Sequence, residues 1–513
     1  MGHFTALDVV VLVAYLAGVA VLGIVGGGRQ RDARDYFLAG KGLPWWAICF
    51  SIVATETSAL TFISVPATAY GSDLWMLQLA VGYVVGRVLV AAVLLPGYFR
   101  GELSTAYALL EERFGIVARR FASVTFMVTR ALGDGVRVFA ASIPLALITG
   151  LDYWQAILIT GVVTLVYTYV GGLRAVVWMD VVQMVLYLVG GAVALLVLAR
   201  TVPDGWTGIV EAARSVDKLR VFHPDGGFAD ARWWLTGLVG GAFLSMASHG
   251  VDHLIVQRLL ASRSKGEAGL AVVGSGVVVV AQFALFLLVG VGLFAHYGGA
   301  PFDPADEVFP RFIVEGLPPG VSGLIIAGVL AAAMSTVSSS LNSLASATTH
   351  DLYAPLSKRG GDPVHLLRVG RQFTLLWAAI LVGGAILFRF VSEGTPIVVI
   401  ALQVASFTYG GLLGGFLLGV LSRRADQRDA ILGMAAATVF MTVLWAAQQF
   451  GAIEKVVDTL WFALIGSAVT VAVGSTSAWI RRAAPSRAEE RSGAAPAEAR
   501  VDDPTAANAD HVR

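Results

Sequence analysis

The chain has 513 residues, of which 57% are hydrophobic and 14% charged, with a net charge of +1. Soluble domains carry roughly a quarter charged residues, so the composition points away from a soluble protein, and the near-neutral balance gives no footing for a nucleic-acid partner. Cys49 is the only cysteine, which excludes an intrachain disulfide and a cysteine-rich metal site.

Apolar runs such as Val9 to Val25, Gln183 to Ala199 and Gly269 to Phe294 are each long enough to cross a hydrocarbon core of about 30 Å as a helix. In chain order the pattern predicts thirteen membrane helices, near 7–26, 43–70, 76–99, 120–149, 153–171, 175–200, 233–259, 269–297, 320–353, 368–390, 395–421, 427–449 and 458–481. Arg29, Arg31 and Arg34 directly follow the first run and no small-residue cleavage site is evident, so that run reads as a retained helix. Thirteen spans place the termini on opposite sides. With the N-terminus outside and the C-terminus cytoplasmic, the inner segments, Arg258 among them, hold nineteen Lys and Arg and the outer ones six, as the positive-inside rule requires. Four of the six outer charges fall in segment 201–232, which reads as a small extracellular cap. The predicted layout is a transmembrane domain over 1–482 and an Ala-, Pro-, Glu- and Arg-rich disordered cytoplasmic tail over 483–513. No phosphate-binding loop is present, which argues against transport driven by ATP.

Polar groups inside membrane helices are costly and are functional candidates by default. The second run, Ser51 to Pro66, carries Glu56 and several hydroxyls in mid-segment and ends on Pro66. That composition suits a broken helix with freed carbonyls for a cation; hydroxyls bonded back to their own helix are the alternative, which leaves Glu56 unexplained. In the ninth run Ser335, Ser338, Ser339 and Asn342 share one helical face, and hard cations bind oxygen ligands; small-residue helix packing is the alternative. Asp180 falls near the cytoplasmic end of the sixth run, where solvation or helix capping would serve as well. Arg130 and Asp134 are spaced i,i+4 and can neutralise each other. Arg137 is left for an anionic solute or for Glu56, and Arg87 raises the same question. Ser245 to His253 reads as a second interrupted helix with Gly250 as its weak point; His249 and His253 fit a polar cluster or gate better than a metal site.

Taken together, Tyr36 to Gly40, Gly171 to Asp180, Gly250 to Arg258 and the serine run continuing to Tyr353 resemble the sodium:solute symporter family over roughly residues 10–480. That resemblance implies an all-α polytopic membrane protein with a five-plus-five inverted repeat, repeat 1 about 43–200 and repeat 2 about 233–421, whose core helices 1 (43–70) and 6 (233–259) are broken. It implies a sodium site from the carbonyls of Ala54, Thr57 and Ala332 and the hydroxyls of Ser335 and Thr336. Relatives that carry sialic acid imply a second sodium site at Asp180, Ser335, Ser338 and Ser339. Solute contacts are implied at Glu56, Ser58, Thr61, Ser245, Ser248 and Gln403, with Arg137 near the position of a carboxylate-binding arginine. Sugar symporters carry an asparagine at the position of Glu56 and an aromatic gate at Ser248 or His249, so the substrate stays open among sugars, sialic acids and carboxylates. The expected activity is sodium-coupled import by alternating access through a monomer in the lipid of the cytoplasmic membrane. Proton coupling through Glu56 or Asp180, and a sensory membrane module, are the rival expectations; no constellation for an enzyme is present.

Overall fold

The structure, a computed structural model, describes residues 5–303, 305–391 and 397–483. The side chains of a few helical stretches, including 397–406, are not described, and residues 484–513 of the predicted tail lie outside the described residues. The principal helices are α1 (Ala6–Gly27), α2 (Trp45–Glu56), α3 (Ala59–Gly71), α4 (Met76–Leu89), α5 (Ile116–Thr149), α6 (Tyr153–Thr201), α7 (Gly241–Gly250), α8 (His253–Leu260), α9 (Lys265–Tyr297), α10 (Val321–Ala347), α11 (Pro363–Val391), α12 (Ile397–Leu421), α13 (Gln427–Gln449) and α14 (Phe462–Ala483). No strand forms among the described residues. In a bilayer every backbone amide and carbonyl needs a partner within the protein, and a helix supplies nearly all of them locally.

Eight helices among the described residues are long and apolar enough to cross a membrane, or nine with α2 and α3 taken as one span bent by 66°. Three predicted segments are not among them. Helix α5 carries Arg130, Asp134 and Arg137, segment 233–259 is split into α7 and α8, and in α12, which is 25 residues long, Phe407–Leu421 is the apolar part whose side chains are described. Helix α6 joins two predicted segments. At 49 residues a straight helix would run about 74 Å at 1.5 Å per residue, far beyond a hydrocarbon core. It turns at Gly172, whose φ of 57° and ψ of −155° lie in a region open to glycine.

Glycines also set how closely these helices pack. A Cβ added at Gly27 of α1 would stand 2.3 Å from the Gly171 Cα, so the two backbones touch. Gln30 seals the contact by donating to the carbonyls of Gly27 (2.9 Å) and Gly171 (3.1 Å). Helix α10 lies at the centre, with almost every side chain from Ser322 to Ala347 buried. At the far end of α3, Lys218 from the 201–232 segment donates to the carbonyls of Tyr70 (2.5 Å) and Ser72 (2.9 Å) and reaches that of Ala69 at 3.4 Å.

Substituting Gly27→Val forces α1 and α6 apart. Overpacking of this kind costs about 1–3 kcal/mol, so the detergent-purified protein should lose thermal stability. An unchanged melting curve would show that the backbones do not meet there.

Candidate functional site

Helix α2 stops at Glu56, and Thr57 (φ −77°, ψ 114°) and Ser58 (φ −103°, ψ 167°) are extended. A continuing helix would send the Ser58 amide to the Ala54 carbonyl and the Thr61 amide to the Thr57 carbonyl. Instead the Ser58 amide donates to Thr61 Oγ1 (3.3 Å) and the Thr61 amide to Ser58 Oγ (3.4 Å). This reciprocal cap starts α3, and it withdraws the helical donors from the two carbonyls expected to bind an ion. The break therefore falls at Thr57 and Ser58, while Pro66 sits inside α3. Gln282 of α9 holds the Thr57 hydroxyl at 2.8 Å and reaches the Tyr187 hydroxyl at 3.3 Å.

The hydroxyl face of α10 lies directly against α2. Thr55 Oγ1 and Ser339 Oγ are 3.1 Å apart. Thr336 Oγ1 donates to the Ala332 carbonyl at 3.2 Å, so two expected sodium ligands of α10 are adjacent oxygens. Ser335 Oγ donates to Asp180 Oδ1 at 2.5 Å. Carbonyl and hydroxyl oxygens of this kind are the donor set a hard monovalent cation takes.

Asp180 is fully buried within α6, not solvated at an interface. Ser51 donates to its Oδ2 at 2.5 Å, and Arg258 of α8, also fully buried, meets the same oxygen at 3.0 Å. The Arg258 guanidinium further donates to Ser51 Oγ (2.7 Å), the Leu254 carbonyl (2.7 Å) and Ser339 Oγ. Asp180 and Ser339 of the expected second sodium site thus meet a guanidinium and Ser335 bonds the other oxygen of Asp180, while Ser338 Oγ donates to its own helix at the Ser335 carbonyl (3.0 Å). The count of inner-side charges placed Arg258 in a loop; it is a core residue instead, because α8 runs inside the bundle and a buried carboxylate needs a partner.

A second break follows Gly250. Val251 leaves the helical path, and Asp252 caps α8 by accepting from the Leu254 amide at 2.9 Å. The break sends the two histidines apart. His249 approaches Glu56 at 3.6 Å and Ser248 Oγ at 2.8 Å, whereas His253 accepts from the Ala106 amide and meets Ser346. No group of three or more metal-binding side chains occurs among the described residues.

Between the two breaks lies a cavity of about 240 Å³ lined in part by Glu56, Ser58, Arg130, Arg137, Ser248, His249, Thr336 and Tyr409. Glu56 is paired with the buried Arg87, which also holds Ser275 Oγ at 2.7 Å. Arg137 is therefore not its partner. Arg137 binds Asp134 at 2.7 Å, and Arg130 is shared between Asp134 and Asp252. Glu56, Ser58, Arg137 and Ser248 are together at this cavity. Thr61 and Ser245 are not in its lining: Thr61 belongs to the cap, and Ser245 Oγ donates to the Tyr83 carbonyl at 3.1 Å. The Gln403 side chain lies outside the described residues. Two contributors escaped the sequence reading, Gln282 and Arg258 in its buried role; the available signal was a lone amide or guanidinium within a membrane run.

The model of the sodium:solute symporter family matches residues 36–437. The chain belongs to this family. Its relatives include the sodium/sialic acid symporter NanT of Aliivibrio fischeri, 29% identical over 93% of each chain. The human sodium/iodide cotransporter is 30% identical over 83% of this chain and 66% of the relative. Among solved structures, a substrate-bound, outward-open sodium-coupled sialic acid symporter superposes with a TM-score of 0.83 at 27% identity, covering 93% of this chain and 98% of that one. Mhp1, a nucleobase-cation-symport-1 transporter, shares the fold at a TM-score of 0.56 and 15% identity. This family member is therefore a membrane transporter rather than an enzyme, and sodium is its coupling ion.

Removing Arg258 strands Asp180 in the core. Breaking one partner of a buried pair costs about 3–5 kcal/mol, so Arg258→Met should unfold at clearly lower temperature, and Asp180→Asn added to it should restore much of the loss. A double variant no more stable than the single one would show that the pair is not coupled.

Proposed function

We propose that the protein imports a small polar organic solute together with sodium by alternating access. The coupling ion binds where α2 ends, to the carbonyls of Ala54, Thr57 and Ala332 and the hydroxyls of Ser335 and Thr336. The observation that carries this reading is the Ser58–Thr61 cap, which withdraws amides from two carbonyls beside the hydroxyl face of α10. The solute occupies the adjoining cavity, where Glu56, Ser58, Arg137 and Ser248 present both signs of charge and hydroxyls. Thr336 belongs to the cavity lining as well as to the ion ligands, so one residue would sense both cargoes.

The expected architecture has thirteen spans, with α6 crossing twice about Gly172, α5, α7–α8 and α12 supplying three further spans, and the two broken elements at matching places of an inverted repeat. The N-terminus lies outside and the C-terminus in the cytoplasm. Sodium entry is driven by about 2.3 kcal/mol per 100 mV of membrane potential and about 1.4 kcal/mol per tenfold gradient. Arg258 neutralises Asp180 in this state, so the second set of oxygens takes an ion only when the guanidinium withdraws, and one sodium per solute is the expected ratio.

Uptake into proteoliposomes, screened across labelled sugars, sialic acids, short carboxylates and amino acids, should require sodium and fail in choline. Thr336→Ala should raise the sodium concentration for half-maximal uptake several-fold. Ser248→Ala should weaken solute affinity and leave sodium dependence nearly intact. Uptake equal in choline, or unaltered sodium dependence in Thr336→Ala, would refute the coupling site.

A further inference from the structure

Away from the central cavity, a second cavity of about 500 Å³ opens where the chain leaves α4 and its extension through Tyr98. Its walls come from three places: Val93 and Leu94 beyond α4, Leu109 and Leu110 of the short helix Ala108–Phe114, and Phe416 and Val420 near the end of α12. Three arginines, Arg100, Arg113 and Arg423, stand in this lining against one acid, Glu112. Arg113 is held by the Ser422 carbonyl at 2.5 Å and lies over the Phe114 ring. Among the described residues the guanidiniums of Arg100 and Arg423 make no hydrogen bond or ion pair, and both residues are exposed. The apolar wall runs out to the bundle surface, where Val420 is 57% and Leu421 68% exposed.

A concave site with an apolar wall reaching the lipid-facing surface and a rim of unpaired cations matches an amphiphile with an anionic head. Acyl chains would lie along Val93, Leu109 and Val420, and a phosphate would be met by Arg100 and Arg423, with Arg113 fixed behind them. A soluble anion would gain nothing from the apolar wall, and a zwitterionic lipid would lack the net charge that three guanidiniums favour. The site lies on the same side as the other arginine-rich connections, which the positive-inside rule assigns to the cytoplasm, and that leaflet carries the anionic lipids. We propose that this cavity is a binding site for one anionic phospholipid of the inner leaflet, joining the extension of α4 to α12.

The test is lipid retention by the detergent-purified full chain in native mass spectrometry, titrated with phosphatidylglycerol or phosphatidylcholine, so that it depends neither on transport nor on orientation. Wild-type protein should retain one phosphatidylglycerol at a lipid concentration at which phosphatidylcholine is lost. At about one kcal/mol per basic residue near a membrane surface, Arg100→Gln with Arg423→Gln should weaken that binding roughly ten- to thirty-fold, whereas the paired Lys replacements should keep most of it. Gly419→Leu, whose side chain would press on Arg113 and Phe114 as it narrows the cavity, should also abolish retention. Unchanged phosphatidylglycerol binding in the Gln pair, equal retention of phosphatidylcholine, or displacement of the lipid by millimolar inorganic phosphate would overturn the proposal.

Discussion

A bilayer offers a backbone no water, so each carbonyl that loses its helical amide must be answered by the protein or by a cargo. That constraint governs the centre of this molecule. The chain breaks α2 from α3 over only two residues, and the Ser58–Thr61 exchange satisfies the amides on one side while leaving carbonyls on the other. Gln282 and Thr57 brace the gap, and the hydroxyl face of α10 covers it. The arrangement keeps the opening polar and small, which suits an ion that must be held and then let go.

Charges follow the same logic at larger scale. Charged groups around the two breaks have answering charges: Glu56 with Arg87, Asp180 with Arg258, and Arg130 between Asp134 and Asp252. The Glu56–Arg87, Asp180–Arg258 and Arg130–Asp252 pairs join different elements, so they fix relative positions as well as neutralise charge. A buried pair is weak evidence for net stability; its value here lies in specifying which helix faces which.

Much of this was legible in the sequence because both breaks announce themselves in composition. Glu56 among hydroxyls and Gly250 beside Asp252 are residues that an unbroken membrane helix has no use for, and the chain bends at both places. Partner choice was less legible. The family resemblance implies solute contacts at Ser245 and Thr61, but their hydroxyls bond backbone groups. Arg258 reads as a loop cation because it closes an apolar run, and only the packing of α8 inside the bundle makes it the counter-ion of Asp180. Arg137 looked unpaired because its neighbour Asp134 was already assigned to Arg130; one carboxylate serves both. Gln282 was hidden as a single amide in a long apolar helix.

The ammonium of Lys218, seated on the carbonyls at the end of α3, has a consequence for how that helix moves. Those carbonyls end the helix and carry its negative pole, and the lysine reaches them from a segment otherwise distant in sequence. Any tilt of α3 must carry that segment along or leave an ammonium unpaired. Segment 201–232 is thereby a lever on the broken helix, and a ligand or antibody that grips it would restrain the membrane element beneath.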